Sequence, residues 1–556
     1  MSVIPKGELF TTKMLAMYTD AVPVLEQIVE NDSIGFYNPD LAEHQYYCEA
    51  LRIYRMSESL KDRDPEIADA LYATTLWYVH YYLMNSNRPE TFVELDDNGK
   101  EYLNYDRIAE YLIKKYCIVS ANGQIFMFIG SMYYNDADRL RKDIVKMLHA
   151  DNFSESRKIE QIVRDILFRV KHATTKFDYP FNKKAKFLVP VKNGVVVRRN
   201  LNCLLPKSPV WGFTYSLPIE YDRDAPTEPV MTFIRSLVAP EDVEILIQIG
   251  AQALLQDENY QTAYLLTGDG ANGKSTYLNF LLRIIGKENT TAVSIQDLVE
   301  DKFKAAELQG KLMNVYADLP KTSVKTTGKF KILTGGDQVT VERKFAQPFT
   351  MVNRAVFVFS ANELPEVNDG TYAFWRRWEV IEFKNTFPKN PGFIERLMTP
   401  ANFSGMLNII LDKMAKIEEY GLTESNKIDQ IKMLWMSRSN SAYAYVVQRL
   451  VRDPQGYIEK ERAYNVLYAN FCSENEFTQV TKKKFTQEIE KFGGNSTMMV
   501  IDQVRKRIYK GVRDTIDSID DALLPDEPAA PATTSTTEAA STTAGLDAFT
   551  DRPEES

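Results

Sequence analysis

A glycine-rich loop between an apolar run and an amphipathic segment constrains this chain more than any other feature. Residues 268–276 (GDGANGKST) match the pattern G-x-x-x-x-G-K-[ST]. The run AYLL at 263–266 precedes the loop, and apolar residues at helical spacing follow it, namely Leu278, Leu281, Leu282 and Ile285. Strand, loop and helix in this order surround a phosphate with backbone N–H groups. The sequence therefore predicts a phosphate-binding loop in an α/β domain, with a chance glycine turn as the alternative.

All nine positions of this loop are predicted to contribute to binding a nucleotide: Gly268, Asp269, Gly270, Ala271, Asn272, Gly273, Lys274, Ser275 and Thr276. We expect the three glycines to occupy positions where no side chain fits, so that the backbone amides face the phosphates. Lys274 would contact the β- and γ-phosphate oxygens, and the Ser275 hydroxyl would bind Mg²⁺. Thr276 is expected to be a residue of the following helix more than a direct ligand of the nucleotide or the metal.

Two further apolar runs end in polar residues that fit the same chemistry. The run KLMNVYA at 311–317 ends at Asp318, and RAVFVF at 354–359 is followed by Ser360, Ala361 and Asn362. Asp318 follows Lys274 by 44 residues, and Asn362 follows Asp318 by the same number. We expect Asp318 to hold magnesium directly or through a bound ligand, and Asn362 to orient the attacking water. Since Leu319 follows Asp318, a separate catalytic glutamate is not visible, and Asp318 could serve both the metal and the water.

An arginine pair, Arg376 and Arg377, follows within FWRRW at 374–378. Either guanidinium could stabilise charge on a transferring phosphoryl group. The alternative is a surface ion pair or a stacking cluster with Trp375 and Trp378, because arginine stacks readily on aromatic rings.

Together these segments resemble a superfamily-3 helicase, of the kind found in the poxvirus- and phage-type DNA primase-helicase family. The resemblance covers residues 268–383 and rests also on Asn272 before Gly-Lys-Ser, on FKILTGGD at 330–337 and on FSANELP at 359–365. It extends more weakly over residues 105–221. It implies an AAA+ fold, a hexameric ring, ATP with Mg²⁺ at subunit interfaces, and 3′ to 5′ travel on DNA. It also implies an arginine that completes the neighbouring subunit's site, for which Arg377 is the first choice and Arg376 the second.

A basic segment lies between the acidic and the polar strand ends. Val339 and Val341, then residues 349–352, indicate two strands around a short tip that contains Arg343, Lys344 and Phe345. In the helicases that the chain resembles, such a hairpin enters the ring channel and grips single-stranded DNA. The two cations would then contact phosphates and Phe345 would stack on a base, with Lys331 as a further contact. A solvated charged turn is the alternative.

The segment 439–513 is predicted to form a second DNA-binding module. Val446, Leu450 and Val451 have helical spacing, residues 480–491 suggest a basic helix capped by Thr481, and residues 500–512 suggest a two-stranded wing. Residues 480–513 contain nine Lys or Arg residues and three acidic residues. The pattern resembles a winged helix, in which phosphate contacts would come from Lys482, Lys483, Lys484, Arg505, Lys506 and Arg507. A charged packing module on the outer face of the ring is the alternative.

Composition agrees with a multidomain chain that binds nucleic acid. The net charge of −9 is concentrated in residues 514–556, which hold eleven acidic residues and one arginine, so the rest of the chain is nearly neutral. We expect this acidic tail to be disordered. The four cysteines have no C-x-x-C spacing, which argues against a zinc ribbon or a disulfide framework and fits a reducing cytosol. Residues 72–84 are too short and too polar to cross a bilayer.

The predicted fold is α/β: an AAA+ P-loop NTPase core with a mainly helical N-terminal domain and a C-terminal winged-helix module. The expected segments are an unassigned helical region (1–104), a domain associated with primase-helicases (105–225), the helicase domain (226–438), the winged helix (439–513) and the tail (514–556). Helices are expected at 105–116 and 137–148, and one small sheet from residues 124–134 and 186–197.

Two classes of function remain open from the sequence. The first is a replicative DNA helicase of a virus, phage or plasmid, cytoplasmic in its prokaryotic host or infected cell. It would act on single-stranded and forked DNA as a homo-oligomer, without a primase of its own and with a separate primase or initiation protein as a possible partner. The second is a DNA-binding ATPase that recognises or melts an origin, or regulates transcription, without processive translocation.

Overall fold

The structure, a computed structural model, describes residues 20–33, 41–86, 91–121, 123–150, 158–176, 181–256, 260–320, 322–324, 326–344, 347–362, 364–367, 369, 371–388, 390–424, 428–475, 477–501 and 503–516. Most of the acidic tail lies outside these ranges, so the prediction of disorder there stays a prediction. The chain divides into two units, residues 1–224 and 225–556.

Helices make up most of the regular structure described in the N-terminal unit: α1 (Val22–Ser33), α2 (Leu41–Leu60), α3 (Pro65–Ser86), α4 (Tyr105–Tyr116), α5 (Ala137–Ala150) and α6 (Ile159–Thr174). Helix α4 begins where the Asn104 side chain accepts a hydrogen bond from the Arg107 N–H at 3.0 Å. It buries Ile108 and Leu112 against a core that α5 and α6 share. The predicted helices at 105–116 and 137–148 are confirmed, the second extended by two residues.

The strands of this unit form three small antiparallel sheets: β1 (Val93–Leu95) with β2 (Glu101–Leu103), then β3 (Val119–Ala121), β4 (Gln124–Ile129) and β5 (Met132–Tyr134), then β6 (Leu188–Val191), β7 (Gly194–Val197) and β8 (Asn200–Leu205). The single sheet expected from residues 124–134 and 186–197 is therefore wrong. Each segment pairs with its sequence neighbours through a short turn, as Val119 does with Phe126 and Leu188 with Val197.

The C-terminal unit contains the helices α7 (Glu228–Leu237), α8 (Pro240–Leu255), α9 (Lys274–Ile285), α10 (Ile295–Glu300), α11 (Gly328–Gly335), α12 (Tyr372–Trp375), α13 (Phe393–Leu397), α14 (Pro400–Tyr420), α15 (Ile428–Ser439), α16 (Ser441–Arg449), α17 (460–474, with a π-helical turn at Ala463–Leu467) and α18 (Lys482–Phe492). Its strands are β9 (Ala263–Thr267), β10 (Thr290–Thr291), β11 (Met313–Tyr316), β12 (Gln338–Val341), β13 (Phe349–Val352), β14 (Val356–Ala361), β15 (Trp378–Glu382), β16 (Leu450–Glu459), β17 (Asn495–Ile501) and β18 (Val504–Asp514).

A five-stranded parallel sheet with the order β10-β11-β14-β9-β15 forms the centre of this unit. Every residue of β9 and β14 is buried, as expected for parallel strands covered on both faces. Aromatic residues fill one face of the sheet: Phe330 stacks on Trp378 at 5.0 Å between ring centroids, and Trp435 of α15 packs edge-on against Trp378 at 4.7 Å. Helix α15 is thereby attached to the sheet.

Strands β12 and β13 form the antiparallel hairpin that the basic segment predicts, with Val341 opposite Phe349. The last module has the order helix, strand, helix, helix, strand, strand (α16-β16-α17-α18-β17-β18), and its three strands form an antiparallel sheet with β18 in the middle. Thr481 caps α18 as predicted, because its hydroxyl accepts a hydrogen bond from the Lys484 N–H. The helical reading of Leu450 and Val451 is wrong, since both begin strand β16, which pairs with β18.

Within the described ranges, no helix is long and apolar enough to cross a membrane.

Candidate nucleotide site

The glycine-rich loop connects the buried strand β9 to the first turn of α9. Gly273 lies directly before this helix with φ of +86°, and Ala271 also has a positive φ of +55°. The left-handed conformations turn the chain so that the amino end of α9 follows at once. A helix amino end carries free N–H groups and a partial positive charge, which together favour a phosphate.

The loop is packed tightly at two of its three glycines. A Cβ atom at Gly268 would lie 2.4 Å from the Phe383 carbonyl oxygen, and one at Gly273 would lie 2.5 Å from a Leu237 methyl group. Gly270 differs, because nothing lies within 4 Å of its Cβ position. Protein contacts therefore exclude a side chain at Gly268 and Gly273, and at Gly270 the expectation stays a prediction.

Lys274 is the first residue of α9, and its side chain is buried against the loop. Its Nζ donates to the Gly268 carbonyl at 2.6 Å and to the Asn272 Oδ1 at 3.0 Å. Asn272 is itself fixed by donation from its Nδ2 to the Phe383 carbonyl at 3.3 Å. The ammonium is thus held at the mouth of the loop by Asn272, while Ser275 is exposed beside it.

Asp318 and Asn362 lie at the same edge of the sheet as the loop. Ala361, the last residue of β14, is in register with Thr267, the last residue of β9, so Asn362 lies next to Gly268. The Leu319 N–H donates to the Ser360 carbonyl at 2.9 Å, which places Asp318 one strand further along this edge. Adjacent strands are about 4.8 Å apart, so these groups lie within roughly 10 Å of one another.

The donor groups at this edge suit a magnesium ion. Both Asp318 and Ser275 are exposed and offer oxygen atoms, and Mg²⁺ is typically bound by one or two protein oxygens together with phosphates and water. No group of three or more His, Cys, Asp or Glu side chains in the described part of the chain could hold a metal by itself. Ser275 and Asp318 are the oxygen donors at this edge that could hold such an ion together with phosphates.

Arg376 and Arg377 lie at the opposite edge of the sheet. Arg377 directly precedes β15, and its carbonyl accepts a hydrogen bond at 2.6 Å from the N–H of Ala263, the first residue of β9. The five residues of β9 separate the two edges by roughly 15 Å at about 3.3 Å per residue. An arginine at this edge is therefore too far away to reach a phosphate on its own chain's loop.

The two arginines have different surroundings. Arg377 is 7% exposed; its Nε donates to the Thr334 hydroxyl at 2.9 Å, and its two terminal nitrogens donate to the Ala373 and Lys331 carbonyls. Burial, and then the charge of Arg376, lower the pKa of Arg377. Arg376 is exposed, with one hydrogen bond of 2.5 Å from its Nη2 to the Gln261 Oε1. Arg377 is thus buried and hydrogen-bonded to two residues of α11, whereas Arg376 lies at the surface.

Lys331 is engaged in an ion pair that the sequence did not reveal. Its Nζ lies 3.0 Å from Asp369, which is 10% exposed and also accepts hydrogen bonds from Thr327 and Thr371. Burial alone would raise the pKa of Asp369, but the bonds from Thr327, Thr371 and Lys331 hold it well below its usual range. Lys331 is therefore partly buried and attached to the loop that follows Asn362.

The hairpin tip presents one of its two described cations to solvent. Arg343 donates from Nη2 to the Gln309 Oε1 at 2.7 Å and lies over the Phe349 ring at 5.0 Å, whereas Lys344 is exposed. Phe345 lies outside the described residues, so its predicted stacking role stays a prediction.

The six cations of the last module that are predicted to contact phosphates also divide into two groups. Lys483, Arg505 and Arg507 are exposed. The other three contact carboxylates: Lys482 lies 3.6 Å from Glu461, Lys506 lies 2.9 Å from Glu459, and Lys484 donates to Glu366 of the core. Of these six, Lys483, Arg505 and Arg507 are therefore directed at solvent, and Lys482 is exposed beside Glu461.

A family model and two curated proteins match the chain in this region. Residues 266–377 match a family described as of unknown function, DUF5906. The chain is 24% identical over 261 residues to "Putative helicase L207/L206" of Acanthamoeba polyphaga mimivirus, covering 42% of this chain and 27% of that protein. It is 28% identical over 137 residues to "Putative helicase 121R" of Invertebrate iridescent virus 3, covering 22% of this chain and 14% of that protein. The matches thus span less than a third of either viral protein.

Solved structures of the NrS-1 C-terminal region in its apo form are similar at low identity. One, an A form, has 12% identity and a TM-score of 0.37, covering 71% of this chain and 95% of that one. Another, of residues 305–718, has 14% identity and a TM-score of 0.35, covering 70% and 95%. The chain is similar in sequence to viral proteins that are named as helicases, in agreement with the predicted resemblance to the virus-type primase-helicase family.

Proposed function

We propose that this chain is an ATP-dependent DNA helicase of a virus or another mobile element, built on a superfamily-3 AAA+ core. The observation that carries the proposal is the division of the site between two edges of one sheet. Lys274, Asp318 and Asn362 lie at the carboxyl edge, and the arginine pair lies at the amino edge. Such a site is complete only when the amino edge of one subunit meets the carboxyl edge of the next.

Contact between two different edges is head-to-tail, and head-to-tail contacts form a ring when the rotation between subunits closes and an open filament when it does not. We therefore propose a ring, with six subunits by the resemblance to superfamily-3 helicases. Within it, Lys274 and the loop amides hold the phosphates of ATP, Ser275 and Asp318 hold Mg²⁺, and Asn362 orients water. Arg376 is the favoured residue to reach the γ-phosphate bound by the neighbouring subunit, because its side chain is exposed. The Arg377 guanidinium is instead hydrogen-bonded within its own chain.

DNA is proposed to meet two surfaces of this unit. Lys344 at the tip of the β12–β13 hairpin would contact single-stranded DNA in the ring channel, and the last module would act as a winged helix. The element order of that module and the exposed Lys483, Arg505 and Arg507 support the assignment. The proposed place of action is the cytoplasm of the host or infected cell, with a separate primase or initiation protein as partner.

Strand displacement on forked DNA tests this function. We expect the wild-type chain to separate the fork with ATP and Mg²⁺, and Lys274→Ala to bind the fork without separating it. DNA binding and ATP hydrolysis without strand displacement would instead favour the second candidate, an ATPase that recognises or melts an origin without travelling along DNA.

A further inference from the structure

Residues 364–367, which follow Asn362 in the sequence, accept hydrogen bonds from three other parts of the chain. The Pro365 carbonyl accepts a hydrogen bond from the Trp435 indole N–H at 2.9 Å, and the Glu366 carbonyl accepts one from the Val324 N–H at 2.9 Å. The Glu366 carboxylate accepts a hydrogen bond from the Lys484 ammonium. The first contact comes from α15, which is packed on the sheet, and the second comes from the segment that contains Val324. The third comes from the basic helix α18, 118 residues further along the chain.

Lys484 differs from its neighbours on α18 in the direction of its side chain. Lys483 is exposed, and Lys482 pairs with Glu461 within the same module. Lys484 alone of this run joins the module to the core. Its side chain is 35% exposed and that of Glu366 is 41% exposed, so solvent and a DNA phosphate can reach the pair.

A partly exposed ion pair of this kind is weak enough to exchange partners. Exposed pairs contribute little free energy, and the high local charge of a DNA strand competes effectively for a lysine. Glu366 lies four residues after Asn362 in the sequence, so the ion pair is close along the chain to the predicted water-orienting residue.

We propose that the Lys484–Glu366 ion pair couples DNA binding by the last module to the nucleotide site. Without DNA, Lys484 holds Glu366 and restrains the loop that carries Asn362. DNA phosphates at α18 draw Lys484 away from Glu366, and the released loop lets Asn362 reach its hydrolytic position. The inference rests on the proposed function of Asn362, and it makes Glu366 and Lys484 positioning residues.

The test is ATP hydrolysis without DNA in four variants of the full chain: Glu366→Lys, Lys484→Glu, the double variant, and Lys491→Gln. Each single charge reversal should raise hydrolysis without DNA by about two- to fivefold, the ratio that one partly exposed ion pair supports. The double variant should return to the wild-type rate, because it restores an ion pair with its charges exchanged. Lys491→Gln is the matched control: it breaks the pair with Glu488 on the same helix and should leave the rate unchanged.

Single reversals that leave the wild-type rate unchanged would overturn the inference, and so would a double variant as active as the singles. The second result would show that the substitutions act on the loop without the ion pair.

Hydrogen exchange at the Val324 amide gives a second measurement that does not depend on ATP hydrolysis. This amide donates to the Glu366 carbonyl, so it reports how firmly the loop is held. We expect single-stranded DNA to speed its exchange in the wild-type chain, and Glu366→Lys to speed it without DNA. Unchanged exchange in both would overturn the coupling. A wild-type chain that hydrolyses no ATP but shows faster exchange with DNA would refute the proposed function and leave the ion-pair coupling supported.

Discussion

Replacing each of the two adjacent arginines by alanine should destabilise the fold to very different extents. Arg377→Ala removes the guanidinium that donates to the buried Thr334 hydroxyl at 2.9 Å and to the Ala373 and Lys331 carbonyls. A lost hydrogen bond to a charged group that leaves a buried acceptor unpaired costs about 2–3 kcal/mol. For a domain of this size the loss should lower Tm by roughly 4–12 °C. Arg376→Ala removes one exposed hydrogen bond to Gln261, which contributes no more than about 1 kcal/mol.

Thermal unfolding and ATP hydrolysis, measured on the same two variants, separate these roles. We expect Arg377→Ala to have a lower Tm than the wild type. Arg376→Ala should keep a Tm close to that of the wild type but lose ATP hydrolysis at protein concentrations where rings form. The reasoning would be refuted if Arg377→Ala kept the wild-type Tm and lost hydrolysis while Arg376→Ala kept hydrolysis. Arg377 would then be the residue that reaches the neighbouring subunit.

Four further changes have defined outcomes. Lys274→Ala should abolish ATP turnover while circular dichroism shows an intact fold, and turnover near the wild-type rate would refute the loop assignment. Asn362→Ala should lower kcat with little change in ATP affinity, measured by steady-state kinetics and nucleotide titration. Lys344→Ala should impair fork unwinding and lower the salt slope of single-stranded DNA binding by about 0.7, the value for one phosphate contact. Because the pKa of Asp369 is lowered in the folded state, its contribution to stability is present above about pH 4 and is lost as the pH falls further. The Tm difference between wild type and Asp369→Asn should therefore be largest near neutral pH and shrink in acid, and a difference that stays constant with pH would contradict this.

The sequence predicted the elements that carry short-range patterns. The loop motif specifies strand, loop and helix within residues 263–285, and the apolar runs that end at Asp318 and Asn362 correspond to β11 and β14. These features follow from local periodicity and from turn chemistry. The hairpin around Arg343 and the cap at Thr481 were predictable for the same reason.

What the sequence left open depends on pairing between distant segments. The position of β15 beside β9 puts the arginines at the far edge of the sheet, and no spacing along the chain encodes that. The same holds for the pairing of Glu366 with Lys484, since a charged residue at the surface has the same sequence pattern whether it meets DNA, solvent or a carboxylate. The short apolar cluster around Leu450 fits both a helical and a strand period, and the pairing of Leu450 with Asp514 decides for a strand.

Mixing Lys274→Ala with Arg376→Ala tests most directly whether the nucleotide site is shared between subunits. Each variant alone should be inactive. In an equal mixture, about one quarter of head-to-tail interfaces pair an intact loop with an intact Arg376, so about a quarter of the wild-type ATP hydrolysis should return. No recovery at any ratio, when co-assembly has been verified by mass measurement of mixed rings, would contradict a site shared between subunits.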